Sequence, residues 1–263
     1  MRTVKPKSWL HLQELLFANT WNETIRRFRS DYAYRGLGRT ASPLETSLAR
    51  LAGNSRGLEQ HLLRNFKKYA LQAGPASSSE WTWLALAQHH GLPTRLLDWT
   101  YSPYVALHFA TSDVADYGCE GLLVMVDYVK VQQRLPSKLK NILSRERSNA
   151  FTAEMLEQAV KSLSGLEKLA RQPFPLFLEP PSLDQRIVNQ FALFSFMSNP
   201  EVQFGDWLEK NGPGLAQQIV IPAELKWEIR DKLDQANVTE RVLLPGLDGL
   251  SRWLRRHYLP RTG

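Results

Sequence analysis

"QHHGLPTRLLDWTYSPYVALHFA", residues 88–110, decides the architecture. Gly91 and Pro93 punctuate the end of an apolar helical stretch, "SEWTWLALAQHHG" (79–91). "PTRLLDWT" (93–100) then reads as a strand. Ser102 and Pro103 open a second helix, "SPYVALHFATSD" (102–113), as N-cap and first helical residue. Upstream, "WLHLQELLFANT" (9–20) has helical spacing, and "NETIRRFRSDY" (22–32) is expected to continue that helix. "YAYRGL" (32–37) alternates and stops at Gly36 and Gly38, a short strand. "SPLETSLARLA" (42–52) reads as a helix capped by Ser42, with Pro43 at its first position and Glu45 completing a capping box. "RGLEQHLLRNFKKYALQA" (56–73) is a longer amphipathic helix, stopped by "GPASSS" (74–79).

Downstream, "GLLVMVDYVK" (121–130) is a buried strand, "FPLFLEPP" (174–181) is extended, and "FALFSFM" (191–197) and "AQQIVIP" (216–222) are strands. "SLDQRIVNQ" (182–190) is a short helix or turn. "PAELKWEIRDKLDQAN" (222–237) and "PGLDGLSRWLRRHYL" (245–259) are amphipathic helices. Strands and helices mix without a regular βαβα beat, which predicts an α+β fold: one domain over 1–263, with a mixed, largely antiparallel sheet flanked by helices. Residues 131–170 are expected as a charged surface insertion.

The 263 residues are long enough to bury a core. No apolar run reaches the ~18 residues of a membrane span, and the N-terminus lacks a signal-peptide h-region. A single cysteine, Cys119, excludes an internal disulfide; together these predict a cytoplasmic protein without membrane contact. The net charge of +7 permits a polyanionic partner, and much of the excess sits in "RWLRRHYLPRTG" (252–263), read as a solvated basic helix end.

Chemistry-bearing residues cluster in few places. His89 and His90 diverge by about 100° on a helix and make a poor chelating pair. With only Asp98, His108 and Cys119 nearby, no metal site is expected. His90 reads as a helix-end donor, and either histidine could equally be a general base. Asp98, inside an apolar strand and on the opposite face from Arg95, either pins the turn near Ser102 or stands as a polar group at a strand end. Arg35 is an anion-binding candidate, because Gly36 and Gly38 let a ligand or another backbone approach. "PPSLDQRIVNQFALF" (180–194) puts Arg186 and Gln190 on one helix face, with Ser182 as the expected cap, and Glu179 is a further possible acid. There is no P-loop, no Rossmann fingerprint and no Gly-x-Ser-x-Gly.

"YRGLG" (34–38), the long central motif from "WLALAQHHG" to "YVALHFA", and "RIVNQFALFSF" (186–196) resemble the FRG domain, with Tyr34 in place of that family's phenylalanine. "YRG", "DWTYSPYVALHFA" and "NQFALFSF", in that order, also resemble ADP-ribosyltransferases of the Arg–Ser–Glu type. That second resemblance implies an ADP-ribosyltransferase-like fold with NAD as co-substrate. Arg35 would orient the dinucleotide beside Gly36, and Trp99 and Thr100 would line the nicotinamide side. Thr100 alone survives from the Ser-Thr-Ser strand, and Gln190 stands at the place of the catalytic glutamate. Glu179, Asp98 or His90 would then supply the missing base or charge. The implied roles are an ADP-ribosyltransferase or a toxin-like effector in phage defence. The alternative is a non-enzymatic module that binds nucleic acid or protein through a degenerate site.

Overall fold

The computed structural model describes residues 1–40, 44–51, 55–70, 79–212 and 214–260. Seven strands form one sheet: β1 (Arg2–Val4), β4 (Tyr32–Leu37), β5 (Leu97–Thr100), β6 (Gly121–Asp127), β7 (Pro175–Leu178), β8 (Ala192–Met197) and β9 (Ala216–Ile221). Their order is β1-β9-β6-β4-β5-β8-β7, and every neighbouring pair is antiparallel except β1–β9. Strands β2 (Trp21–Asn22) and β3 (Arg27–Phe28) make a separate hairpin. The expected mixed, largely antiparallel sheet with flanking helices is therefore present.

The helices are α1 (Trp9–Phe17), α2 (Ser55–Tyr69), α3 (Glu80–His89), α4 (Pro103–Ala110), α5 (Tyr128–Gln132), α6 (Ser137–Glu146) and α7 (Ala153–Ala159). They continue with α8 (Leu163–Glu167), α9 (Gln185–Asn189), α10 (Phe204–Asn211), α11 (Lys226–Gln235), α12 (Glu240–Leu243) and α13 (Leu247–His257). No helix is long and apolar enough to cross a membrane among the described residues.

Alternation along the strands sorts the core onto two faces of the sheet. Ala33, Leu97, Trp99, Val124, Phe177 and Leu193 face one side, under α5 and α10. The other face carries two separate helical layers. Leu123, Met125 and Ile219 meet α1, α4 and α11, whereas Leu176, Leu178, Phe194 and Phe196 meet α3 and α6–α8. Residues 131–170 supply this second layer: Leu139, Phe151, Leu156 and Leu166 are fully buried. The expected surface insertion is corrected to a helical layer of the core, because its charges are interleaved with apolar residues at helical spacing.

Two further expectations fail on local chemistry. The helix does not continue through 22–32. Asn22 Oδ1 accepts the N–H groups of Thr24 and Ile25, and Arg26 sits at φ 51°, so the chain turns into the β2–β3 hairpin. Of the helix expected over 42–52, the described residues 44–51 form only a 3₁₀ turn at Ala49–Leu51. There the Ser47 hydroxyl takes the Thr94 N–H at 3.2 Å and the Leu48 N–H goes to the Thr94 carbonyl, so the backbone is committed across the fold. Ser42, Pro43 and most of the "GPASSS" tip lie outside the described residues. Helix α10, not anticipated, buries Phe204, Trp207 and Leu208 at i, i+3, i+4.

The basic C-terminus is not simply solvated. Arg256, 8% exposed, donates to Glu240 at 2.6 and 2.8 Å and to Asp234 at 2.7 and 2.8 Å, pinning α13 to α11 and α12. Arg230, fully buried beside them, donates to Asp234 at 3.0 Å and to His108 Nδ1 at 2.8 Å. Burial, reinforced by the Arg230 charge, pushes the His108 pKa down to about 3.

A histidine that charges freely only when unfolded makes the unfolded state bind more protons below its ordinary pKa of about 6.5. We therefore predict that stability falls as pH drops from about 6.5 towards 3, with His108 contributing up to about 1.4 kcal/mol per pH unit. Denaturant titrations at several pH values check this, and His108→Asn is expected to flatten the slope. Gly36 is a steric requirement: a Cβ there would lie 1.7 Å from the Ala106 carbonyl oxygen of α4. Gly36→Ala is expected to destabilise by about 3 kcal/mol or to abolish folding, read by thermal unfolding.

Candidate functional site: a cleft at the split of β4 and β5

Strands β4 and β5 share a single ladder pair, Tyr34↔Thr100. Beyond it β4 stays with β6 as far as Leu37↔Leu122, whereas β5 stays with β8 from Leu97 to Thr100. The sheet therefore opens between them, below the gap that separates the two helical layers. A cavity of about 890 Å³ fills this opening.

Arg35 lines the cavity and donates its Nη1 to the Asp98 carbonyl at 2.7 Å, satisfying a β5 carbonyl at the split. Burial lowers the Arg35 pKa from its ordinary value, the Asp98 charge opposes this, and Arg50 adds to the lowering. An arginine remains a cation through such a shift. Gly36 also borders the cavity, but its open face is filled by α4. Of the two reasons sequence gives for glycine there, the approach of another backbone is the one realised.

The Asp98 carboxylate is exposed and accepts the Gln88 amide through both oxygens, at 2.9 and 3.0 Å. Gln88 is itself aimed by Thr94, whose hydroxyl donates to Oε1 at 2.6 Å. Asp98 is thus not a turn cap. The Ser102 N–H goes to the Thr100 hydroxyl at 3.0 Å, and the Ser102 hydroxyl caps α4. Arg95 points away, as expected, into a buried pair with Glu59 at 2.5 Å.

Thr100 is buried and donates to the Gln190 carbonyl at 2.7 Å. The Gln190 amide in turn donates to the Leu243 carbonyl at 2.8 Å, and Asn189 donates to Val242 at 2.7 Å. Gln190 therefore ties the cavity wall to α12. Trp99 borders the cavity, but its indole is turned into the core: it donates to the Ser195 hydroxyl at 2.8 Å and meets Phe177 and Phe204 edge-on. An indole so placed does not line a ligand pocket, which corrects the role expected for it.

Both adjacent histidines line the cavity, their rings edge-on at 5.1 Å, and among the described residues the one whose side chain has a hydrogen-bond partner is His89. Its Nε2 meets Asp184 Oδ2 at 2.6 Å. Asp184, not Ser182, is the N-cap of α9, with Oδ1 accepting the Ile187 N–H at 3.0 Å. Burial pushes the Asp184 pKa up, but the Ile187 and His89 hydrogen bonds and the His89 charge outweigh it, and the net shift is downward. His90 is exposed at the α3 C-terminus. Glu179 does not reach the cavity, because it accepts the Tyr101 hydroxyl at 2.7 Å elsewhere.

Sequence reading also missed Arg39 and Asp116, which line the cavity and pair at 2.5 Å. Lys226 holds that rim by donating to the Gly38 and Asp116 carbonyls, both at 2.7 Å. With Arg186, the cavity presents three arginines against two carboxylates, Asp98 and Asp116, each already hydrogen-bonded within the protein. The excess favours an anionic guest.

The fold and site define a mixed α/β domain with an arginine-lined cleft at a split in its sheet. Residues 30–118 match the family model of the FRG domain, so the chain carries an FRG domain over those residues. The match takes in Arg35, Gln88, His89, His90 and Asp98, whereas Asp184 and Gln190 lie beyond it. No curated protein and no solved structure matches the chain.

Gln190→Glu is expected to cost about 1–3 kcal/mol, since a carboxylate would replace the donor to the Leu243 carbonyl. Chemical denaturation of the two proteins measures the difference.

Proposed function

We propose that this FRG-domain protein binds NAD in the split-sheet cleft, as an ADP-ribosyltransferase-like enzyme. The observation that carries the reading is spatial. The three segments that resemble that enzyme class lie on neighbouring strands, β4, β5 and β8, and bring Arg35, Asp98, Thr100 and Gln190 to one cavity. The donor set suits the group: Arg35, Arg39 and Arg186 line the one cavity, and a guanidinium is a fork for a diphosphate. NAD would bring a nicotinamide leaving group bound to ribose. The chain's own residues would hold the phosphates and shape the pocket through Thr100 and Asp98.

Gln190 cannot serve as a carboxylate base, so proton transfer falls to another group. Toxicity in a cytoplasmic, phage-defence setting is the biological role that fits such an activity. Calorimetry with NAD at moderate salt tests the reading. Wild type is expected to bind, Arg35→Ala to lose about 10–100-fold in affinity as a charge-assisted contact disappears, and Arg35→Lys to fall between. Absence of binding by wild type would sink it.

A further inference from the structure

We propose that His89, held by Asp184, is the general base of the cleft. The inference rests on the reading of the cleft as a NAD site and deepens it, since Gln190 cannot take a proton.

The other acid–base groups on the cavity wall are already committed. Asp98 has both oxygens on the Gln88 amide, and Asp116 is paired with Arg39. Gln190 spends its amide on Leu243 and Glu179 faces Tyr101, outside the cavity. His90 is exposed with no side-chain hydrogen bond among the described residues to fix its ring.

His89 differs in three ways. Its side chain is only 10% exposed, so the ring is caged while it still lines the cavity. Its Nε2 faces a carboxylate at 2.6 Å, and that carboxylate is itself fixed by the Ile187 N–H. A carboxylate is an acceptor only, so Nε2 carries a proton, and in the neutral ring the lone pair is then on Nδ1. Among the described residues no donor engages Nδ1. His89 is also the last residue of α3, where the helix carbonyls favour a developing positive charge. The titratable and charged groups that face it or share its wall are Asp184, which caps α9, Arg186 on α9, His90 beside it, Asp98 on β5 and Arg35 on β4, with the Arg39–Asp116 pair.

The step assigned to His89 balances with water as acceptor. As the water oxygen bonds to the anomeric carbon of the ribose, the bond to nicotinamide breaks and its electron pair leaves with nicotinamide. The proton released by the water goes to Nδ1, and the resulting imidazolium is steadied by Asp184 before it yields that proton to solvent. Asp184 acts through His89 and is a positioning residue.

The test uses the full-length chain and three readouts: NAD affinity by calorimetry, nicotinamide release across pH, and the tautomer of His89 by nitrogen-15 NMR. Wild type is expected to show the Nε2–H tautomer and a release rate that falls on acidification. His89→Gln is expected to bind NAD like wild type, to release nicotinamide about 10²–10⁴-fold more slowly, and to lose the acid limb. His89→Ala is expected to recover with added imidazole, which a merely structural role would not give. Asp184→Asn is expected to mix the tautomers and slow release less than His89→Gln does. If wild type binds NAD but His89→Gln releases nicotinamide at the wild-type rate, or wild type releases none, or the proton sits on Nδ1, the base assignment is overturned and the NAD site stands. If wild type does not bind NAD, both fall.

Discussion

The hydrogen bond from Arg35 to the Asp98 carbonyl, at 2.7 Å, spans the place where the sheet comes apart. A sheet that opens between central strands exposes peptide groups that would normally pair, and each unpaired buried group is costly. One long cationic side chain satisfies such a carbonyl without closing the gap. The result is a cavity floored by strand ends and walled by α3 on one side and by α4 on the other. The packing around it follows from that opening. Two separate helical layers cover the same face, one for each half of the sheet.

Each half is then locked by buried charge. On the β5 side, Arg95 and Glu59, with side chains 4% and 2% exposed, join α2 to the strand. On the β4 side, Arg256, Glu240, Asp234 and Arg230 join the C-terminal helices to α4 through His108. Buried ion pairs of this kind add little net stability, but they strongly penalise any arrangement that leaves one partner alone. They fix the helices of each half against its own strands.

Much of the frame was legible in the sequence because it is written in short-range signals. "YAYRGL" matches β4 residue for residue, and Ser102 with Pro103 marks the start of α4. Asp98 and His90 were chosen as polar residues near strand and helix ends, Arg35 for its flanking glycines, and Thr100 and Gln190 through the resemblance to ADP-ribosyltransferases; all five line one cavity. Trp99 was misassigned because alternation turns it to the opposite face from Asp98 and Thr100, where Phe177 and Phe204 receive it. The role of 131–170 was misread because charge content was weighed above the spacing of Leu139, Leu143, Leu156 and Leu166.

By itself the sequence determined the α+β class, most element positions and the FRG motif, since caps, breakers and periodicity act over a few residues. Tertiary structure alone decided which histidine is held, because Asp184 lies 95 positions from His89. It also decided that Glu179 is outside the cleft, that Arg39 and Asp116 are inside it, and that Gly36 serves the contact with α4. The physical reason is common to all of these. A polar side chain's role is set by the partner that satisfies it, and that partner is brought by the fold from a distant part of the chain, where local pattern carries no information.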